Sequence, residues 1–350
     1  GWAAVGLGRG QTAATIDPGM FTSFEQAGGL VALAGIVLYE SRHSLRLAWR
    51  SLRRRAKEEA DATAPMPGRT AVVGFLAANA FMLWCGLQLG LSWWSFALLM
   101  GLCYLSMLVA SKLVAAGGVL AYHPGLYSLE QQLMVGLMGP RLIGPSSFVI
   151  VTYLTQTYMD DPANLVMPQM MNGMKLGHAG QIGGRSLSWA MLAAIVVVVG
   201  VGWMAMLAMV YRYGASMLPP WPFTAAGDNA FGDIDAALRD PGPVLTWKWL
   251  ALALGAAAML ALSWLQLHVT WWPVSPLGFV IASGWSTENE LWGCALIGWL
   301  LTMLIRRYGG LRLYRALRPA FLGLVVGDLL TSSTTGILNV LLDYRRLVGQ

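Results

Sequence analysis

Apolar residues run through this chain in long uninterrupted blocks. Residues 93–111, 189–211 and 249–267 contain no Asp, Glu, Lys or Arg, and residues 71–91 are interrupted only by Asn79 and Gln88. A bilayer core of roughly 30 Å takes about 20 apolar residues in a helix. No alternating strand pattern competes with that reading, so the blocks predict helices that cross a membrane. Weaker blocks add spans near 19–39, 290–305 and 320–342. Two further segments, 147–159 and 274–285, are too short to span in the ordinary way, and the second holds Pro276 and Gly278. The predicted fold class is all-α: a polytopic transmembrane helical bundle of about seven full spans plus two broken or re-entrant segments. Residues 1–350 read as a single integral-membrane domain.

Polar positions set the orientation. Of the 23 Lys and Arg residues, eight fall between Arg42 and Arg69 and five between Arg306 and Arg318. Both clusters flank apolar spans, which places them on the cytoplasmic side. Within 42–57, Leu45, Trp49, Leu52 and Ala56 recur at helical spacing. Arg46, Arg50, Arg53 and Arg54 take other positions, predicting an amphipathic basic helix on the membrane surface. A plain helical continuation of the first span accounts for the stretch equally well. If both basic clusters are cytoplasmic, the chain crosses an even number of times between them. Three long spans lie there, so one short segment crosses and the other does not. The pattern leaves open which, with a slight preference for 147–159 as the re-entrant one. The loop 214–246 carries Asp228, Asp233, Asp235 and Asp240 against Arg239 alone and reads as an extramembrane, non-cytoplasmic loop.

Local signals refine the packing. Spans 71–91 and 93–111 have almost no connection and predict a tight helical hairpin with Trp93 and Trp94 at the outer interface. Gly86-x-x-x-Gly90 and Gly323-x-x-x-Gly327 offer small-residue faces for close helix contact. After Lys112 the run Ala115-Ala116-Gly117-Gly118, then His123-Pro124-Gly125, ends any helix.

Composition narrows the function classes. Only 11% of the 350 residues are charged and 56% are hydrophobic, against about 25% charged in a soluble domain. The net charge of +6 is explained by the membrane-flanking clusters, so nucleic acid is not a partner. Cys85, Cys103 and Cys294 all lie in apolar runs without metal or disulfide spacing. No phosphate-binding loop, dinucleotide fingerprint, zinc-protease pair or Ser/His/Asp order occurs. The chain reads as non-enzymatic, with no cofactor and no metal.

Several motifs carry a resemblance. They are Met167-Pro168-Gln169, Lys175-Leu176-Gly177, Tyr211-Arg212-Tyr213-Gly214-Ala215 and Ser275-Pro276-Leu277-Gly278. The block from Ile305 to Tyr314, with Arg306-Arg307-Tyr308-Gly309-Gly310 at its centre, and Arg318-Pro319-Ala320-Phe321 add to them. Together they resemble an uncharacterised family of large bacterial polytopic membrane proteins, distantly like oligopeptide transporters. The match is to the C-terminal half of a typical member. The resemblance implies a multi-pass protein of the bacterial cytoplasmic membrane with a transporter-like role. Its partners would be lipid, other membrane subunits or a missing N-terminal half. Two positions depart from the family pattern. Gln169 to Asn172 stand where members carry histidine and glutamate, and Lys112 to Gly118 where they carry an arginine–glutamate pattern. The departures keep a second reading open, a non-enzymatic subunit scaffolding a larger membrane complex.

Candidate transport-path residues are few. Asp328 lies well inside the last span with Ser332 one turn on, and an ionisable group there costs about 2.5–3.5 kcal/mol to insert. Gln169 and Lys175 sit in the resemblance motifs. Met159, Met167, Met170, Met171 and Met174 with His178 nearby could bind a soft metal, but Met is also a flexible filler of irregular packing surfaces.

Overall fold

Each of the long apolar blocks becomes a helix. The computed structural model describes residues 18–53, 68–117, 129–159, 165–218, 223–239, 246–284 and 292–348, and no strand occurs among them. Five helices among the described residues are long and apolar enough to cross a membrane. They lie in α1 (Pro18–Arg53), α2 (Gly68–Leu89), α3 (Trp93–Gly117), α7 (Gly184–Tyr213) and α9 (Thr246–His268). Shorter helices α4 (Gly139–Ile143), α5 (Pro145–Tyr158), α6 (Val166–Ala179), α8 (Ala225–Arg239) and α10 (Pro276–Ala282) lie between them. The spans expected at 290–305 and 320–342 fall in α11 (Trp292–Leu304) and α12 (Gly310–Val348), which are not among the five. α11 has 13 residues before a π-helical turn. α12 carries Asp328 and a Thr/Ser run that lower its apolarity. The chain divides into two units, Gly1–Asn289 and Glu290–Gln350.

In the first unit, the hairpin of α2 and α3 is closed by local chemistry. Gly90 takes φ +95°, a left-handed conformation that ends α2. Its N–H donates to the Leu87 carbonyl at 3.1 Å, and the Leu91 N–H donates to the Gly86 carbonyl at 2.9 Å. This pair of bonds is the Schellman motif, with buried Leu91 folded back over Gly86. Ser92 Oγ then donates to Ser95 Oγ at 2.7 Å, and the Ser92 N–H donates to Ser147 Oγ at 3.0 Å, tying the hairpin to α5. Within the pair, Tyr104 donates to the Asn79 side-chain carbonyl at 2.7 Å.

The closest helix contact is between α1 and α9. Lys248, Ala251, Gly255 and Met259 form one buried stripe along α9. A Cβ on Gly255 would overlap the Glu25 carbonyl oxygen and lie 2.6 Å from its carbon. A Cβ on Gly28 would overlap the Leu252 carbonyl oxygen and lie 2.9 Å from the Ala256 nitrogen. Backbone meets backbone here, as dispersion and lipid exclusion favour where side chains are small. The two glycine pairs expected from sequence do not have this role. Gly86 and Gly90 build the hairpin turn, and a Cβ on Gly323 or Gly327 meets no atom within 4 Å. Phe24 and Trp247 close the end of the crossing edge to face, ring centroids 5.9 Å apart.

Two polar stretches are helical. The basic stretch after Glu40 continues α1 without a break as far as Arg53; residues 54–57 lie outside the described residues. Arg46 is exposed, Arg50 and Arg53 lie on the same helix, and Arg54 lies outside the described residues. The stretch 214–246 holds α8, whose Ala230, Ile234 and Ala237 are buried at helical spacing on the side that packs against α5.

In the second unit, α11 runs into a π-helical turn, Ile305–Gly309, and Gly310 at φ +61° starts α12. Arg306, Arg307, Arg312, Arg315 and Arg318 are exposed.

Candidate functional site

The sequence breaks the helix pattern after Lys112, yet the centre of the first unit lies just beyond. Gln131–Met138 is a π-helical segment continuing from Leu129 and Glu130. Its residues enter all three apolar clusters of the unit. Leu129 packs with α1, α3 and α9, Met134 and Val135 with α3 and α5, and Leu137 with Met20, Phe24 and Ala251. Its described side chains are buried or half-buried, so its unpaired backbone groups need protein partners.

The partners are visible. Gly139 takes φ +63°, and its N–H donates to the Met134 carbonyl, five residues back. Pro140 has no N–H, so the Gly136 carbonyl cannot receive the ordinary bond from four residues on. Lys248 supplies a donor instead, its Nζ 3.0 Å from that oxygen. The ammonium also stands 5.3 Å from the Phe24 ring and 6.0 Å from that of Trp247, a favourable place for a desolvated cation. Gly144, at φ +88°, breaks the path again before α5. The short helix α10 is held similarly. Buried Gln26 on α1 donates through Nε2 to the Val280 carbonyl at 3.1 Å, covering one of the carbonyls a helix end leaves open.

Buried polar side chains gather on the same elements. Glu130 is 1% exposed and Gln132 is 4% exposed. Cys103 on α3 lies within electrostatic reach of Glu130. Ser106, one turn further along α3, and Thr152 on α5 are buried, and neither hydroxyl has a hydrogen-bond partner among the described residues. Thr155 satisfies itself on the Val151 carbonyl at 2.9 Å. The result is a carboxyl, a thiol, hydroxyls and carboxamides on elements that pack around a broken helix, with an ammonium bound to the same segment.

The residues favoured by sequence fall on other elements. Gln169 and Lys175 are exposed on α6, six positions apart. Asp328 and Ser332 belong to the second unit and are exposed. Thr331 and Thr334 there bond back to the Gly327 and Leu330 carbonyls at 2.8 and 2.7 Å. No group of three His, Cys, Asp or Glu residues that could hold a metal occurs among the described residues. The missed residues did leave a trace. Glu130 is the only Asp, Glu, Lys or Arg between Lys112 and Arg141, and Lys248 is the only Lys or Arg between Arg239 and Arg306.

Residues 1–347 match one family across nearly the whole chain. The chain belongs to DUF6785, a family of unknown function. No curated protein and no solved structure matches it.

Proposed function

We propose that this member of DUF6785 is a transporter-like, multi-pass protein of the bacterial cytoplasmic membrane, distantly of the oligopeptide-transporter type. About seven spans and two broken segments make up the proposed topology. The observation that supports the reading is the doubly broken path from Gln131 to Tyr158, which carries buried polar residues of the first unit and is bonded by Lys248. Many secondary transporters build substrate and ion sites from discontinuous helices, where freed backbone groups and buried charges meet. The proposed path accordingly centres on Glu130 and Lys248 rather than on Asp328. Purified protein in proteoliposomes, offered a mixture of di- and tripeptides, tests this by mass spectrometry of the lumen. Accumulation that depends on an imposed ion gradient is the expected result. No accumulation under any proton or sodium gradient would overturn it.

One observation favours the second reading, a scaffolding subunit. α7 is 30 residues long, strongly apolar, and has no buried residue. A partner helix could cover it where lipid otherwise does. Native mass spectrometry after gentle extraction decides this: a stoichiometric membrane partner supports a scaffold, and a lone chain excludes it.

A further inference from the structure

We propose that Glu130 is a proton-exchanging carboxyl and that the proton is the coupling ion of the first unit. The inference rests on the transporter reading for its purpose, but not for its test. Glu130 is 1% exposed, on the element that among the described residues reaches all three apolar clusters. Removing a carboxylate from water disfavours its charged form, and buried ionisable groups in membrane proteins commonly mark ion and proton relays.

The surroundings favour a proton over a metal cation. From α3 the titratable group near Glu130 is Cys103. The other charges of α3 and α1 that pair are Lys112 and Glu40, joined to each other at 2.8 Å. Glu25 of α1 is half-buried, its backbone against Gly255. From α5 the titratable side chain is Tyr153, exposed beside Phe231. Arg141 of α4 is exposed. From α9 it is Lys248, on the Gly136 carbonyl of the same segment. A metal ion at Glu130 would share this short segment with an ammonium and, among the described residues, would find one carboxylate where hard cations such as Ca²⁺ take about six to eight oxygens. A proton needs no further ligand. Ser106 and Thr152, whose hydroxyls have no partner among the described residues, supply rotatable donors and acceptors on the helices packed around the segment. The exchange is a simple balance: the carboxylate takes a proton to become the acid and returns it on the other stroke, with no other bond made or broken.

Infrared difference spectroscopy of the full chain in nanodiscs, between mildly acidic and mildly alkaline buffer, reads this directly. A carboxylic-acid C=O band that appears on acidification and is absent in Glu130→Gln is the expected result. Asp328→Asn should leave that band in place. Should Glu130→Gln not fold, Glu130→Asp keeps a carboxyl and should shift the band rather than abolish it. A difference spectrum unchanged by either Glu130 substitution would overturn the proposal, as would a band that sodium suppresses at constant pH. A titrating band without peptide uptake would refute the transport reading and leave the proton site standing. Uptake without the band would do the reverse.

Discussion

The segment from Leu129 to Met138 and helix α7 belong to the same unit and treat their side chains in opposite ways. α7 is the most apolar of the five candidate spans, and none of its residues is buried. The other segment is short, yet holds Glu130 and Gln132 buried beside Leu129, Met134, Val135 and Leu137. α1, the least apolar of the five, is buried over more than half of its spanning stretch, as is the more apolar α3. In water the full exposure of α7 would be perverse. In lipid it follows from physics. Hydrocarbon already solvates leucine and valine, so apolarity alone gives a helix no reason to leave the bilayer for the protein. Polar and small residues do, because only protein can satisfy a carbonyl or permit backbone contact.

The largest test of that contrast is steric. Gly255→Leu would drive a side chain into the Glu25 backbone, where no rotamer can yield. Loss of about 3 kcal/mol or more is expected, read as failure to elute as a folded monodisperse species. Gly200→Leu on α7, where a Cβ meets no atom within 4 Å, should elute as wild type. Equal damage from both would break the comparison. Next comes Lys248→Met, which leaves the Gly136 carbonyl without its side-chain donor. A cost of about 1–3 kcal/mol is expected, seen as a lower thermal midpoint by tryptophan fluorescence. Pro140→Ala in the same chain restores an amide donor and should recover part of the loss. Tyr104→Phe removes the bond to Asn79 between two helices, for about 0.6 kcal/mol, measurable by denaturant titration in micelles. Smallest of all, Leu192→Ala on α7, half exposed, should stay within about 0.5 kcal/mol of wild type in the same titration.

Much of the architecture was legible because membrane spans announce themselves by length and composition. The blocks at 71–91 and 93–111 gave both helices and their tight turn, and Gly90 marks that turn in the sequence. The site was not legible, for a physical reason. Hydropathy records what lipid would accept, and the segment around Glu130 is one that lipid would reject and protein accepts. Its short apolar run, ended by Gly139-Pro140, looks like a loop until α1, α3, α5 and α9 are in place around it. Glycine spacing misled for a related reason. Gly323 and Gly327 have the spacing of a contact face, whereas Gly28 and Gly255, on different helices, make the contact by matching each other. Asp328 drew notice as an acid in an apolar run, but a lone charge in sequence does not say which side chains surround it.

The unbroken length of α1 has a mechanical consequence. At 36 residues it is a rod of about 54 Å, while the hydrocarbon core is only about 30 Å thick. Its core contacts run from Met20 to Val37, and Glu40 still pairs with Lys112 of α3. Arg53 lies about 24 Å along the axis beyond Val37. The basic residues are thus carried away from the packed core on one continuous helical arm.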